Sequence, residues 1–328
     1  MTPIQTAVLE DLKTAFGITP TRVTPITGGY LNKKWKLETA DGTYVLKLFS
    51  PARYSAEKLD RIETALQNQR MLYDAGISCP RVYDCGGVIL RRVPTFVPAL
   101  PMGLDNHATY MLMSFEDGCM PTPLTVTAEQ MTSLGAQVAM MHNALSSLDA
   151  RSDVHYPLLG ADIAARNAEH RTSLDAFSDI QLPPQLDDIL SALDASFFDR
   201  QNRQLCHEDL SCDNLLFREN HPILLDFDRC QYSFPLHDVG RALLSLAFDG
   251  ETLRTPLVKA FADGYRTTLP LTADALADAF RITFACEFTW WIRREYLLCS
   301  EPKVARFVRE MRYLMQIWDT LPIVLQGV

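Results

Sequence analysis

None of the eight cysteines forms a C-x-x-C pair or any of the spacings that hold zinc, which excludes a metal knuckle and gives no disulfide framework. No apolar run approaches the roughly 18 residues that a membrane-spanning helix needs. The opening MTPIQTAVLEDLKTAFGITP is amphipathic, with no basic stretch leading into an apolar one. The expected location is the cytoplasm, with no membrane partner. Positive charge is scarce as well: 31 Lys and Arg stand against 40 Asp and Glu, a net charge of −9 with no dense basic stripe. Nucleic acid is therefore not the expected partner, because phosphate contacts supply most of that affinity. Repeats, low-complexity tracts and long linkers are also missing.

What is present suits an ordinary globular chain of 328 residues, 47% hydrophobic and 22% charged, large enough for one domain or two lobes with separate cores. Charge is unevenly spread: residues 1–100 carry 13 basic against 9 acidic residues, and residues 101–200 carry 4 against 14. The acidic middle could attract a cationic small molecule, although solvated helix faces give the same count. Residues 21–49 alternate apolar and polar types around Gly-Gly and Asp-Gly turns, predicting three strands. A helical period follows over 55–75, closed by Gly76 and Pro80. A second alternating run ends in TYMLMSFEDG, and the chain beyond it reads mostly helical. The expected boundary divides a β-rich lobe, 1–113, from a larger helical lobe, 114–328.

One β interruption in the helical part carries unusual chemistry: LCHEDLSCDNLLFRENHPILLDFD, residues 205–228. Two apolar runs around the turn-rich RENHP predict a hairpin. With its turn centred on Asn220, Asn214 and Asp226 fall opposite each other at the open end, within reach of Asp209. An amide oxygen beside a carboxylate is the hard donor set that Mg²⁺ accepts when phosphates complete its shell, with the third carboxylate left as a base. Read for local structure alone, Asp209 and Asn214 would cap a turn and Asp226 would end a strand. Cys206 and Cys212 flank the stretch and read as packing thiols.

HEDLSCDN followed by LLDFD resembles the paired H-x-D-x-x-x-x-N and D-[FW]-[DE] motifs of the aminoglycoside phosphotransferase and choline kinase superfamily, relatives of the protein kinases. ITGGYLNKKWKL is similar to that family's phosphate loop, YVLKLF to its lysine strand and YMLMSFEDG to its adenine-holding hinge. LGAQVAMMHNAL and PLHDVGRALLSL resemble its later helices, so the likeness spans roughly residues 25–248. It implies an α+β, two-lobed protein-kinase-like fold, with a nucleotide-binding first lobe and a catalytic, substrate-binding second lobe. The implied activity is ATP- and Mg²⁺-dependent transfer of phosphate to a hydroxyl of a small molecule: an aminoglycoside, an amino alcohol, homoserine or a sugar-like compound. The alternative is a binding or structural protein that keeps the fold without catalysis.

By the same resemblance, Asp209 is the catalytic base or orienter, and Asn214 and Asp226 hold the metal. Lys47 would reach the nucleotide's α- and β-phosphates, although a lysine snorkelling from an edge strand reads alike. Its acidic partner is expected on the following helix, where Glu63 is the choice and Gln67 or Leu66 stands near the usual position. Gly28, Gly29 and Asn32 match the phosphate loop, and the Ser114 carbonyl and Glu116 amide would bond adenine. His207 and Asp238 are implied to be structural braces. Glu208 and Ser211 depart from the family's usual glycine and histidine, and no activation-loop signal follows DFD, so activity without phosphorylation is expected. Glu287, Trp290, Trp291 and Tyr296 could cage an ammonium group, although aromatics at helical spacing more often form core.

Overall fold

The computed structural model describes residues 3–26, 32–51, 53–94, 107–148, 160–177 and 182–328. The chain divides into two compact units, Met1–Asp117 and Gly118–Val328. This division falls later than the one expected at residue 113. The sheet is the reason: the Phe115 amide still donates to the Thr43 carbonyl at 3.1 Å, so the chain leaves the sheet only beyond it.

The N-terminal unit runs α1 (Pro3–Phe16), β1 (Arg22–Ile26), β2 (Lys33–Glu38), β3 (Thr43–Phe49), α2 (Ala56–Asp74), β4 (Val82–Tyr83), β5 (Arg91–Pro94) and β6 (His107–Ser114). The strands form one antiparallel sheet in the order β1-β2-β3-β6-β4, with β5 also paired to β6. Strand alternation sets the two faces of β3 apart. Leu46 packs with Val8 and Leu12 of α1 and with Trp35 and Leu37. Phe49, on the face it shares with Lys47, packs with Leu59, Ile62 and Leu66 of α2 and with Met111 of β6. Helix α2 starts where the Ser55 hydroxyl accepts the Lys58 amide, and ends before Gly76, whose positive φ suits glycine.

The C-terminal unit contains α3 (Ala128–Ser146), α4 (Gly160–Leu174), α5 (Leu186–Ala192), α6 (Ala195–Asp199), β7 (Gln204–Cys206), β8 (Leu215–Arg218), β9 (His221–Leu224) and β10 (Gln231–Ser233). Then follow α7 (Pro235–Ala247), α8 (Thr255–Tyr265), α9 (Ala273–Trp291), α10 (Arg294–Leu297), α11 (Pro302–Ile317) and α12 (Leu321–Val324). Two pairs of helices touch through glycine. A Cβ on Gly264 of α8 would lie 1.9 Å from the Thr132 carbonyl oxygen of α3, and one on Gly240 of α7 would lie 2.3 Å from the Ala279 oxygen of α9. These close approaches bring His142, Asp238 and Tyr265 together under the loop that follows β7.

The hairpin differs from its expected register by one residue. Leu215 pairs with Leu224 and Arg218 with His221, so the turn is the two residues Glu219 and Asn220, with Glu219 at φ +56°. Two-residue turns with positive φ match the twist of paired strands, which favours this tighter closure. Asn214 therefore faces Leu225, whose amide donates to the Asn214 carbonyl at 2.9 Å, and Asp226 lies one residue beyond.

Candidate active site

The loop 207–214 is built by hydrogen bonds that consume its backbone and leave its carboxylate. The Asp238 carboxylate accepts the His207 and Glu208 amides, each at 2.8 Å, and His142 Nε2 at 3.0 Å, while His142 Nδ1 meets the Tyr265 hydroxyl at 2.9 Å. Burial opposes the charge on Asp238, but the His142 bond together with the nearby His142, His207 and His237 rings outweighs it and holds the carboxyl below its ordinary range. His207 Nε2 lies 2.8 Å from the Leu225 carbonyl, and its Nδ1 accepts the Asp209 amide at 3.2 Å. Since a carbonyl only accepts and an amide only donates, Nε2 must carry the hydrogen. His207 is a brace between the loop and the hairpin, unsuited to act as a base.

Asp209 has its backbone committed in both directions. Its carbonyl accepts the Asn214 side-chain amide at 2.8 Å and the Ser211 backbone amide at 2.9 Å. The carboxylate is 39% exposed, with the Arg229 guanidinium 4.0 Å away. Because Asn214 donates through its nitrogen, Oδ1 is the atom left to act as a ligand. Asp226 adopts the left-handed conformation, φ +62° and ψ +61°, at the junction between β9 and a short turn of 3₁₀ helix. That conformation is rare without glycine and clusters at sites where surroundings enforce it.

The donor set fits a hard divalent cation: one amide oxygen and one carboxylate, with phosphate oxygens to complete the shell. Among the described residues, no three His, Cys, Asp or Glu side chains group to hold a metal unaided.

In the N-terminal unit, Lys47 is 2% exposed, set opposite Lys34 of β2 and Met111 of β6. Its ammonium lies 5.4 Å from the centre of the Phe49 ring. Glu63 accepts the Ile89 and Leu90 amides at 2.9 and 2.7 Å, tying α2 to the strand connection, while Gln67 is exposed. Ser114 Oγ donates to the Glu116 carboxylate at 2.7 Å and accepts the Arg81 amide at 2.9 Å, so both side chains are engaged locally. Asn32 Oδ1 is buried without a hydrogen-bond partner among the described residues. Gly28 and Gly29 lie outside the described residues.

The ammonium cage is not what the aromatic residues build. Trp291 stacks on Phe307 at 4.1 Å and 5°, and its indole nitrogen donates to Glu287 at 2.9 Å. Glu287 also binds Arg241 at 2.8 Å, and exposed Trp290 carries the Arg293 guanidinium over its ring. Trp291 is half-buried, with one ring face covered by Phe307 and its polar edge taken by Glu287. Cys206 and Cys212 are buried, and burial raises both thiols, against a nucleophilic role.

Four charged residues packed behind this loop were not expected from the sequence: His237, Arg241, Arg306 and Glu310. A signal existed, since PLHDVGRALLSLA places His237, Asp238 and Arg241 in an otherwise apolar helix that is buried almost all round. Such a helix must carry its charges into the core.

The sequence matches the model of the phosphotransferase enzyme family, APH, over residues 22–276, and the chain belongs to that family of small-molecule phosphotransferases. No curated protein matches it. Among solved structures it is similar to the amicoumacin kinase hAmiN in complex with AMP-PNP, Ca²⁺ and Ami, at 14% identity and TM-score 0.63, covering 95% of this chain and 93% of that one. It is likewise similar to an aminoglycoside phosphotransferase from Alicyclobacillus acidocaldarius, at 14% identity and TM-score 0.62, over 100% of this chain and 97% of that one. A choline/ethanolamine kinase family protein from Mesorhizobium loti matches at 13% identity and TM-score 0.61, over 99% and 100% of the two chains. The fold is thus protein-kinase-like, with an antiparallel N-terminal sheet and a helical C-terminal part. No helix among the described residues is long and apolar enough to cross a membrane.

Proposed function

We propose that this protein transfers the γ-phosphate of ATP, with Mg²⁺, to a hydroxyl of a small molecule: an aminoglycoside, an amino alcohol, homoserine or a sugar-like compound. The observation that carries this reading is the bond from the Asn214 amide to the Asp209 carbonyl. One turn of chain thereby spaces a half-exposed carboxylate from an amide oxygen, the separation that a base and a metal ligand need. Binding of AMP-PNP and Ca²⁺ by the amicoumacin kinase agrees with this use of the fold.

Phosphoryl transfer asks a protein mainly for positioning and charge neutralisation. Asp209 orients the acceptor hydroxyl and takes its proton as the oxygen attacks the γ-phosphorus and ADP leaves. Asn214 Oδ1 and the Asp226 carboxylate would hold the magnesium, which when bound would neutralise negative charge on the nucleotide phosphates. Lys47 reaches the α- and β-phosphates, and Gly28, Gly29 and Asn32 cradle them with backbone and amide groups. Glu63 balances Lys47: each of its oxygens takes one amide and keeps a lone pair for the ammonium. The Ser114 carbonyl and Glu116 amide bond the adenine edge. The assembly works without phosphorylation and operates in the cytoplasm.

The test is transfer from labelled ATP to a pooled panel of amino alcohols, aminoglycosides, hydroxy amino acids and sugars. Wild-type protein should yield a product, and Asp209→Asn should lose roughly 10²- to 10⁴-fold in kcat while still binding ATP. Equal turnover by Asp209→Asn would remove it as the base. Failure of the wild type to bind ATP at all would favour a non-catalytic protein of the same fold.

A further inference from the structure

The catalytic loop carries two charged residues that the chemistry above does not use, each just before a residue that it does use. Glu208 precedes Asp209, and Asp213 precedes Asn214. Both join a continuous chain of ions, buried at Glu208, His237, Arg241 and Glu310 and partly exposed at Asp213, Arg306 and Lys303. Glu208 lies 3.2 Å from His237 Nδ1, and His237 Nε2 lies 3.5 Å from Glu287, an ion-pair separation longer than an ordinary hydrogen bond. From the other end, Asp213 accepts Arg306 at 2.8 Å and Lys303 at 3.0 Å, and Arg306 lies 3.7 Å from Glu310. Arg241 joins the two arms by binding both Glu287 and Glu310.

We propose that this ion chain, closing on Arg241, positions the catalytic loop from both flanks, with His237 and Arg306 as its positioning residues. The inference rests on the kinase reading for its meaning in turnover, while its geometry stands within the C-terminal unit alone.

Three observations support it. Glu208 holds φ +66°, a conformation that side chains rarely adopt, and its side chain is buried at 7% exposure. A glutamate in that position persists only where its surroundings over-determine it, and His237 together with the Asp238 bond to its amide does so. Charge is balanced as well: Glu208, Glu287, Glu310 and Asp213 face His237, Arg241, Arg306 and Lys303, so the array can be buried without a net charge. Burial opposes a charge on His237, but Glu208, Cys286 and Glu287 around it hold its pKa well above the ordinary histidine value. Finally, Glu287, Lys303, Arg306 and Glu310 lie beyond residue 276, where the family match ends, so this support comes from helices α9 and α11 of this chain and not from the matched segment.

The experiment compares Glu208→Gly, which relaxes the backbone but removes the ion, with Arg306→Leu and Arg306→Lys at the partly exposed far end. Steady-state kinetics and hydrogen exchange of the His207 and Glu208 amides are measured on each folded protein. Misplacement of a reacting group by about 1 Å costs on the order of 100-fold. Glu208→Gly and Arg306→Leu should therefore lose about 10- to 100-fold in kcat, with the KM for ATP within roughly twofold of wild type. Arg306→Lys should recover most of that loss, and the loop amides should exchange faster only in the impaired variants. Should Glu208→Gly fail to fold, the two Arg306 variants decide the matter. Unchanged kcat and unchanged exchange in a folded Arg306→Leu would overturn the proposal. If the wild type itself transfers no phosphate, exchange still decides: faster exchange upholds the ion chain while the kinase reading falls, and unchanged exchange overturns the ion chain.

Discussion

The two units bury charge in different ways. Among the described residues, Lys47 is the one charged side chain buried in the N-terminal unit, whereas the C-terminal unit buries Glu208, Asp238, Arg241, Glu287 and Glu310. Lys47 is placed by strand period alone: every second residue of β3 meets α2, and position 47 falls on that face. The C-terminal ions come from the 207–214 loop, α7, α9 and α11 and are set by one another. A closed set of opposite charges such as this can be structural, set by helix packing and not by strand period.

Lys47→Met gives the largest test of that contrast. It should lower kcat/KM for ATP by about 100-fold, as for loss of a group that stabilises transferring phosphate. Unchanged kcat/KM for ATP in a folded Lys47→Met would make Lys47 a structural ion like those of the other unit.

Next comes the pair Trp291→Ala and Trp290→Ala. Half-buried, stacked on Phe307 and bonded to Glu287, Trp291 should cost about 1–3 kcal/mol in urea unfolding when removed. Exposed Trp290 should stay within about 0.5 kcal/mol. A rise in substrate KM without loss of stability in Trp291→Ala would restore the aromatic-cage reading.

The smallest expected effect is on pH dependence. Burial alone would raise the Glu287 carboxyl, but Arg241, with His237 and Trp291, outweighs it and holds the group at about 2 against an ordinary 4.5. A depressed carboxyl contributes stability that is complete above the unfolded value and lost as pH falls through the folded one. Thermal melts should therefore lose about 3 kcal/mol between pH 4.5 and 2 from this group. Glu287→Gln should flatten that limb, and an acid limb as steep as wild type would show that the ion chain does not set it.

Much of the catalytic loop was legible in the residues, because its motif is local: Asp209 and Asn214 are five apart, and one turn of chain bonds them. The strand face of Lys47 was legible for the same reason. The hairpin register was misjudged by one residue, since a turn of two residues or three follows from backbone twist that RENHP does not specify. Glu63 shows a different limit, because its amide partners Ile89 and Leu90 lie 26 and 27 positions away.

By itself, the sequence determined the family, the strand alternation that buries Lys47, and the loop that couples Asp209 to Asn214, because each depends on neighbours within a few residues or on a repeating period. Only the tertiary structure decided that Trp291 packs on Phe307 and that Glu208 and Asp213 are anchored through α9 and α11. The bonds of Arg241 to Glu287 and Glu310 and of Arg306 to Asp213 join positions 46 to 93 residues apart, and which distant charges meet is settled by helix packing, down to the glycine contact that lets α7 lie against α9.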